Sequence, residues 1–376
     1  MSSLAGDADQ SGDAVAVATA RAETLKAKQR VEAWDITEED QVRSTPAPAV
    51  GTRRGCRKPI RPREHTVRNF VAVVARNYEK NPYHNWAHAW NVFATTGILL
   101  RDGWHDYADD VDIFALMVAA LCHDLGHPGL TNEHFVNQGH RLARTYNNLA
   151  VLENMHAYTM YTILELPGCN LLEEFSAAEQ AQFRAVATTA IMGTAMTVHF
   201  DLMKSLTQVK NARDAEELQE KPILDEKRFN HDAEVMKKII VHAADLGNCV
   251  QPLGSYTQWA ERIFMENHLQ CEYEKGQKSS FESFAMEVNP GDSTKLAKFQ
   301  LGFLDFIAVP FWETIVDLYP LLEDRRVAMH ANVKYWRLEA AKTASSEVAE
   351  KTSPTLEVVE KTSATAPGGS TQQSTS

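Results

Sequence analysis

Apolar residues recur at helical spacing along most of the middle of the chain. Between positions 66 and 79, Val67, Phe70 and Val74 fall on one face of a helix. The stretch 111–122 is almost wholly apolar, which is typical of a helix buried on all sides. The same period predicts further helices at 86–100, 149–166, 177–192, 232–244, 255–271 and 295–318.

Alternating patterns typical of strands are scarce, so the fold class predicted for 63–340 is all-α, a compact multi-helix domain. The flanks differ in composition. Residues 1–62 are rich in Ala, Asp, Ser and then Pro, and are predicted to be largely disordered or linker, with one short helix at 20–34. Residues 341–376 form a Ser/Thr/Glu-rich tail that is also predicted to be disordered.

Composition narrows the class of protein. The chain has 376 residues, 44 % of them hydrophobic, which is enough for a sizeable core. Its formal net charge of −12 argues against a nucleic-acid partner, since such proteins usually show a basic face. It does not argue against a phosphate substrate, because bound cations can supply a positive field locally.

Cysteine usage and hydropathy indicate the compartment. The five cysteines are widely spaced and include no CxxC pair, which favours reduced thiols. The first residues lack the apolar segment of a signal peptide, and no run of about 18 apolar residues occurs. We therefore expect a cytoplasmic protein without a membrane span.

Histidine and aspartate concentrate in three short segments, 83–89, 123–129 and 242–248. Taken singly, each has an ordinary structural explanation, such as a hydrogen-bonded His-Asp pair or a carboxylate at a helix end. Together they bring imidazoles and carboxylates from separate helices. Mixed N and O ligands suit zinc with open positions, and a bridging carboxylate suits a second, harder cation such as magnesium. Two ions about 4 Å apart can hold a hydroxide and clamp a phosphate.

These segments resemble the catalytic domain of the class I 3′,5′-cyclic-nucleotide phosphodiesterases, a metallohydrolase domain of the His-Asp (HD) type. The resemblance runs from about Glu64 to Glu339. The matching motifs are Tyr83-His84-Asn85-Trp86-Ala87-His88-Ala89, His123-Asp124-Leu125-Gly126-His127-Pro128-Gly129, Val151-Leu152-Glu153-Asn154, Asp245-Leu246-Gly247-Asn248 and Gln300-Leu301-Gly302-Phe303.

The resemblance implies roles for particular residues. The tighter metal, usually zinc, would be held by His88, His123, Asp124 and Asp245. Asp124 would also reach the second metal, usually magnesium, whose other ligands are mostly water. A metal-bridging hydroxide would attack the cyclic phosphodiester to give the 5′-monophosphate, and His84 would be the general acid that protonates the leaving O3′.

Further residues are implied around the metals and the base. Waters on the metals would be held by His127, Glu153 and Thr194. The base would be held by Gln300 at the purine edge, by Phe303 and Ile263 on the two ring faces, and by Asn248 and Met196 lining the pocket. Phe303 and Ile263 also fit an apolar helical stripe, and Gln300 also fits a solvated helix face. We expect His156, His199 and His242 to be structural.

The sequence departs from the family pattern at positions around the implied metals. The family commonly has an acidic residue where Gly126 stands, Asp where Asn148 and Ala195 stand, and His where Met155 stands. All implied metal ligands remain. The sequence before Glu64 also lacks the further helices usual in the family.

Two other functions remain open from the sequence. One is a catalytically weak or inactive phosphodiesterase-like nucleotide sensor, which the altered positions suggest. The other is a different His-Asp hydrolase acting on nucleoside mono- or triphosphates. Between substrates, cAMP is slightly favoured over cGMP, because the Asn248 carbonyl could accept from the adenine amino group while the Gln300 amide can pair either way. The oligomeric state cannot be read from the sequence.

Overall fold

The computed structural model describes residues 62–217, 226–276 and 293–352, and within these ranges the chain is helical with no strand. The fold class predicted from the sequence is confirmed. In this described part of the chain, thirteen α-helices follow in order: α1 Glu64–Arg76, α2 Trp86–Asp102, α3 Asp110–Cys122, α4 Asn132–Asn137, α5 Arg141–Thr145, α6 Val151–Leu164, α7 Ala177–Met192, α8 His199–Glu217, α9 Glu226–Asp245, α10 Leu253–Gly276, α11 Ser293–Phe303, α12 Val309–Leu318 and α13 Glu323–Thr352.

Helix α3 lies at the centre of the bundle. It packs against α2, α7 and α9, which shield almost all of its surface from solvent. Phe114 at its middle is fully buried against the rings of Phe175 and Phe183. Such burial accounts for the nearly continuous apolar sequence, because every face of α3 meets another helix.

Local signals at the helix ends place the functional segments. The Asn85 side chain accepts a hydrogen bond from the His88 N–H at 3.2 Å and so begins α2 at the first histidine segment. After α3 ends, Gly126 has φ +76°, a left-handed conformation that glycine adopts without steric cost. This turn directs the chain from His123 and Asp124 into His127. Both histidine segments are therefore held by backbone geometry as well as by packing.

The predicted helix at 295–318 is broken in the structure. It consists of α11, a π-helical turn at Leu304–Ala308, and α12. Pro310 lies in the first turn of α12, a position at which a helix tolerates the missing N–H of proline. The apolar period alone does not reveal such a one-turn irregularity.

The predicted boundary at 340 lies inside α13, which is helical to Thr352 where the sequence suggested disorder. The residues after 340 are mostly Ala, Lys, Ser and Glu, and extending an anchored helix through such residues costs little. The predicted short helix at 20–34, the linker and the end of the tail lie outside the described residues.

Candidate metal centre and general acid

The metal ligands implied by the sequence meet at one point. His88 comes from the first turns of α2, His123 and Asp124 follow α3, and Asp245 ends α9. Nε2 of His88 lies 3.0 Å from Oδ1 of Asp245, and Nε2 of His123 lies 3.0 Å from Oδ2 of Asp124. The remaining N-to-O edges and the N-to-N edge measure 3.3–3.4 Å. We call these four side chains the cage.

The chemistry of the cage fits a cation. Four ligands about 2.0–2.1 Å from a central zinc ion would be separated by edges of about this length. Nδ1 of His123 donates to the Ala120 carbonyl at 2.9 Å, so Nε2 is the nitrogen that faces the cage and would bind a cation once deprotonated. Oδ2 of Asp124 is buried without a hydrogen-bond partner. Imidazole nitrogens and carboxylate oxygens this close are held together either by protons on the imidazoles or by a cation between them.

Both cage carboxylates are anionic in this environment. Burial by itself raises the pKa of Asp124, but the neighbouring His123 and His84 outweigh it and hold that pKa well below its usual range. Burial opposes ionisation of Asp245 in the same way, and His123 again lowers its pKa. The cage is therefore a buried site of negative charge, which a divalent cation would neutralise.

The histidine implied as general acid lies beside the cage and pairs with a buried glutamate. Nδ1 of His84 pairs closely with Oε1 of Glu266, and Oε2 of Glu266 accepts from the backbone N–H groups of Tyr83 at 2.9 Å and His84 at 3.0 Å. Burial lowers the pKa of His84, but the charge of Glu266 outweighs it and raises that pKa to about 9. Burial also opposes ionisation of Glu266, yet His84 lowers its pKa to about 2.

Sequence reasoning missed Glu266. The signal was present, because Glu266 falls on the same helical stripe as Trp259 and Ile263, a stripe otherwise read as apolar. A carboxylate on such a stripe needs a cationic partner when buried, and Glu266 is only 4 % exposed.

His127 stacks on His84 with the ring centroids 4.0 Å apart. Its Nδ1 accepts from the Gly129 N–H at 2.9 Å, so the ring proton lies on Nε2. Burial, followed by the charge of His84, lowers the pKa of His127 well below its usual value. His127 is therefore a neutral N–H donor beside the cage.

Glu153 and Thr194, implied as holders of metal waters, are both buried. Both oxygens of Glu153 accept from the Asn132 amide at 3.1 and 3.0 Å. The Thr194 hydroxyl donates to the Ile191 carbonyl at 2.8 Å, which leaves its oxygen as an acceptor.

Of the histidines expected to be structural, His199 and His242 bond to each other at 2.9 Å. His156 donates to the Leu125 carbonyl at 2.7 Å and turns its other nitrogen toward Asp124 at 3.8 Å. His156 therefore supports the cage from outside it.

Polar residues implied for the base are held by internal hydrogen bonds. Oδ1 of Asn248 accepts from the Asn91 amide at 2.8 Å, and its Nδ2 donates to the Tyr83 hydroxyl at 2.6 Å. Oε1 of Gln300 accepts from the Tyr256 hydroxyl at 2.6 Å. Asn91 and Tyr256 were not predicted from the sequence.

The apolar residues implied for the base lie on two packed helices and a loop. Ile263 is on α10 and Phe303 ends α11, and these two helices pack together. Phe303 is partly buried against the main core. Met196, after α7, is 46 % exposed.

Two of the departures from the family pattern lie together. A Cβ placed on Gly126 would come within 4.0 Å of the Met155 methyl group, and any side chain at Gly126 would have to adopt its left-handed φ. Asn148 also has a left-handed φ of +60°, which asparagine tolerates well. Ala195 is buried next to Thr194. At Gly126 and Asn148, the left-handed backbone conformation thus favours the residue that this chain has.

An all-helical bundle that delivers two imidazoles and two carboxylates to one buried point, next to a charged histidine, is typical of metal-dependent hydrolases of the His-Asp type. Residues 83–328 match the 3′,5′-cyclic nucleotide phosphodiesterase family. The chain belongs to that family.

Known relatives agree with this assignment. The chain is 30 % identical over 281 residues to a 3′,5′-cyclic-AMP phosphodiesterase of Drosophila melanogaster, covering 72 % of this chain and 40 % of the relative. It is 28 % identical over 293 residues to the high affinity cGMP-specific 3′,5′-cyclic phosphodiesterase 9A of Mus musculus, covering 76 % of this chain and 51 % of the relative. The chain thus spans about half, or less, of the length of these relatives.

The solved phosphodiesterase domain of a rhodopsin fusion protein from the choanoflagellate Salpingoeca rosetta has a TM-score of 0.69 and 30 % identity, over 76 % of this chain and 86 % of that one. In the part of the chain that the structure describes, no helix has the length and apolar character needed to cross a membrane.

Proposed function

We propose that this chain hydrolyses a 3′,5′-cyclic nucleotide to the 5′-monophosphate. Two divalent cations, when bound, would polarise the phosphate and activate the attacking water. The observation that carries the proposal is the position of the His84–Glu266 pair immediately beside the cage, with the rings of His84 and His88 5.7 Å apart. The proton donor His84 and the negatively charged cage, which would bind the cations, thereby lie around one small volume.

The proton of His84 has a defined place. Nδ1 is engaged by Glu266, so the proton delivered to substrate is the one on Nε2. As the P–O3′ bond breaks, O3′ takes this proton, and the water that attacks phosphorus loses one proton to return His84 to its acid form. The sum is cyclic nucleotide plus water giving the 5′-monophosphate. A raised pKa suits this role, because His84 is then charged at neutral pH.

We assign zinc to the tighter site formed by the four cage ligands, because two nitrogens and two oxygens at tetrahedral spacing match its preference. The second site would take magnesium or manganese through Asp124 and water, as hard cations prefer oxygen ligands. Water on that side would be held by His127, Glu153 and Thr194. We also propose a cytoplasmic location, consistent with the buried free thiols of Cys122, Cys169, Cys249 and Cys271.

Asn248, Gln300, Phe303, Ile263 and Met196 would hold the base. The slight preference for cAMP rested on the Asn248 carbonyl accepting from adenine. That oxygen accepts from Asn91 and retains a second lone pair, so it could still accept from adenine. The named relatives include one for each nucleotide. We therefore propose cyclic nucleotides as the substrate class and leave both members in the assay.

The test is hydrolysis of cAMP and cGMP by the purified chain, with and without added zinc and magnesium, together with the Asp124→Asn variant. We expect metal-dependent release of the 5′-monophosphate and its loss in Asp124→Asn, since one ligand of the cage loses its charge. Stoichiometric zinc with cyclic-nucleotide binding but no turnover would favour the nucleotide sensor instead. Full activity in Asp124→Asn would reject the cage as the site.

A further inference from the structure

Asn132, the first residue of α4, makes three hydrogen bonds whose directions are fixed by chemistry. Its Nδ2 donates to both oxygens of Glu153, at 3.1 and 3.0 Å. Its Oδ1 accepts from the Leu152 N–H at 2.8 Å. A carboxylate can only accept and a backbone N–H can only donate, so the Asn132 amide has one possible orientation. Asn132 therefore binds both the carboxylate of Glu153 and the backbone N–H of the residue before it, Leu152.

Glu153 in turn faces the cage side of α6. His156, one helical turn further on, directs Nε2 toward Asp124, and i and i+3 residues share a helix face. The two bonds from Asn132 use one lone pair on each Glu153 oxygen and leave the others as acceptors.

The position of Asn132 is itself tied to the helix that supports His84. The preceding residue, Thr131, donates its N–H to Oε1 of Gln270 at 3.1 Å, and Nε2 of Gln270 donates to the Thr131 hydroxyl at 3.3 Å. Gln270 lies on the same face of α10 as Glu266, four residues away. One rigid helix face thus locates both the partner of His84 and the anchor of Asn132.

We propose that Asn132 is a positioning residue that holds the Glu153 carboxylate in one orientation toward the second cation site. The proposal rests on the proposed function, in which Glu153 accepts hydrogen bonds from water at that site. Without Asn132 the carboxylate would lose its side-chain donor among the described residues, keep its own backbone N–H as a partner, and be held less firmly. Orienting partners of this kind typically contribute about 10- to 100-fold to metal affinity.

The experiment measures Mn²⁺ binding to the zinc-loaded full-length chain by electron paramagnetic resonance of the unbound ion. Four proteins form a double-mutant cycle: wild type, Asn132→Ala, Glu153→Ala and the double variant. We expect Asn132→Ala to weaken Mn²⁺ binding about 10-fold with unchanged zinc content. In the Glu153→Ala background the same change should have no further effect, because its target is gone.

Independent effects of the two substitutions, or Mn²⁺ binding insensitive to either, would overturn the proposal. If Asn132→Ala does not fold, the cycle is run with Asn132→Ser, which keeps a hydroxyl oxygen as an acceptor, loses the two amide donors and adds no charge beside Glu153. Failure of this inference is distinct from failure of the proposed function, which wild-type hydrolysis tests separately.

Asn154→Ala serves as a matched control. Asn154 follows Glu153 in α6, but its amide donates to the carbonyls of Leu149 and Ala150, both at 3.0 Å. These bonds stabilise the turn before α6 and do not touch Glu153. The control is expected to lower the melting temperature while leaving the Mn²⁺ affinity unchanged. An equal loss of affinity in Asn154→Ala would mean that general loosening of α6, and not Asn132, controls the site.

Discussion

At the residue scale, two stacked histidines beside the cage hold different charges because their partners differ. His84 faces the buried Glu266 carboxylate and is charged. His127 accepts a hydrogen bond from a backbone N–H at Nδ1 and is neutral. Stacking of two charged rings would be repulsive, so the neutral state of His127 also favours the charge on His84. The proton donor is thus defined by its neighbours more than by residue type.

The first prediction at this scale concerns the alkaline limb of the pH profile. The pKa of His84 is raised to about 9, so its acid form, and with it kcat/KM, should decline as pH rises through about 9. Glu266→Gln removes the charge that offsets burial, so the pKa of His84 should fall and the limb should move to lower pH. The measurement is kcat/KM against pH for wild type and variant.

Glu274→Gln is the matched control, because Glu274 lies on the same face of α10 and pairs with His134 at 2.9 Å, away from His84. The alkaline limb of the kcat/KM profile of Glu274→Gln should coincide with that of wild type. A limb that stays in place in Glu266→Gln would remove Glu266 from the acid pair, whereas movement in both variants would indicate an effect of overall charge.

At the element scale, the short 3₁₀ segment Leu246–Val250 is held from a distant part of the chain. Asn332 on α13 is fully buried, and its Nδ2 donates to the carbonyls of Cys249 and Gln251, both at 2.9 Å. The segment begins directly after Asp245 and carries Asn248. The last helix therefore helps to hold the loop that joins the cage to the region proposed for the base.

Replacing this anchor should destabilise the fold. Asn332→Leu keeps the approximate volume but leaves the buried Cys249 carbonyl without its donor, at a cost of about 1–3 kcal/mol, and the part-buried Gln251 carbonyl without its donor at a smaller cost. In urea unfolding, the free energy of unfolding of Asn332→Leu should be lower than that of wild type by at least the cost of one unpaired buried carbonyl, about 1–3 kcal/mol. Asn77→Leu, at an exposed position where water can replace the side-chain bond to Val73, should change it by less than about 0.5 kcal/mol. Equal losses of unfolding free energy in the two variants would mean that the buried hydrogen bonds of Asn332 stabilise the fold no more than an exposed one does.

At the scale of the whole molecule, the described domain closes with α13. Its buried residues include Met329, Val333 and Trp336, and among the side chains that the structure describes, up to residue 342, the last one packed against the core is Ala340. The helix continues to Thr352, beyond these contacts. We therefore expect the stable unit to extend through the first half of α13.

Truncation tests this boundary. A chain of residues 62–342 should keep the melting temperature of the full chain, because it retains every described core contact. A chain ending at 327 should unfold at much lower temperature, since it exposes the core that α13 covers. Thermal melts of the three proteins measure this. A large drop on trimming to 62–342 would show that the residues outside this range, such as the predicted helix at 20–34, pack on the domain.

Much of this protein could be predicted from the sequence because the relevant signals are local. Helical periodicity predicted the all-α class and most core helices, since one face of each helix must be apolar. The cage residues His88, His123, Asp124 and Asp245 were identified because they lie within short segments that resemble the family motifs, and His84 lies in the first of these segments.

Other features were decided only by tertiary structure. Glu266, Asn132, Asn91 and Asn332 carry no local motif, because each acts on a residue far away in sequence. The π-turn at Leu304–Ala308 and the length of α13 depended on small differences in packing and propensity that a period does not resolve. Sequence by itself predicted most of the helices and the residues proposed to bind a cation. Folding decided their partners, and thus which histidine is charged, because burial and neighbouring charge exist only once distant segments meet.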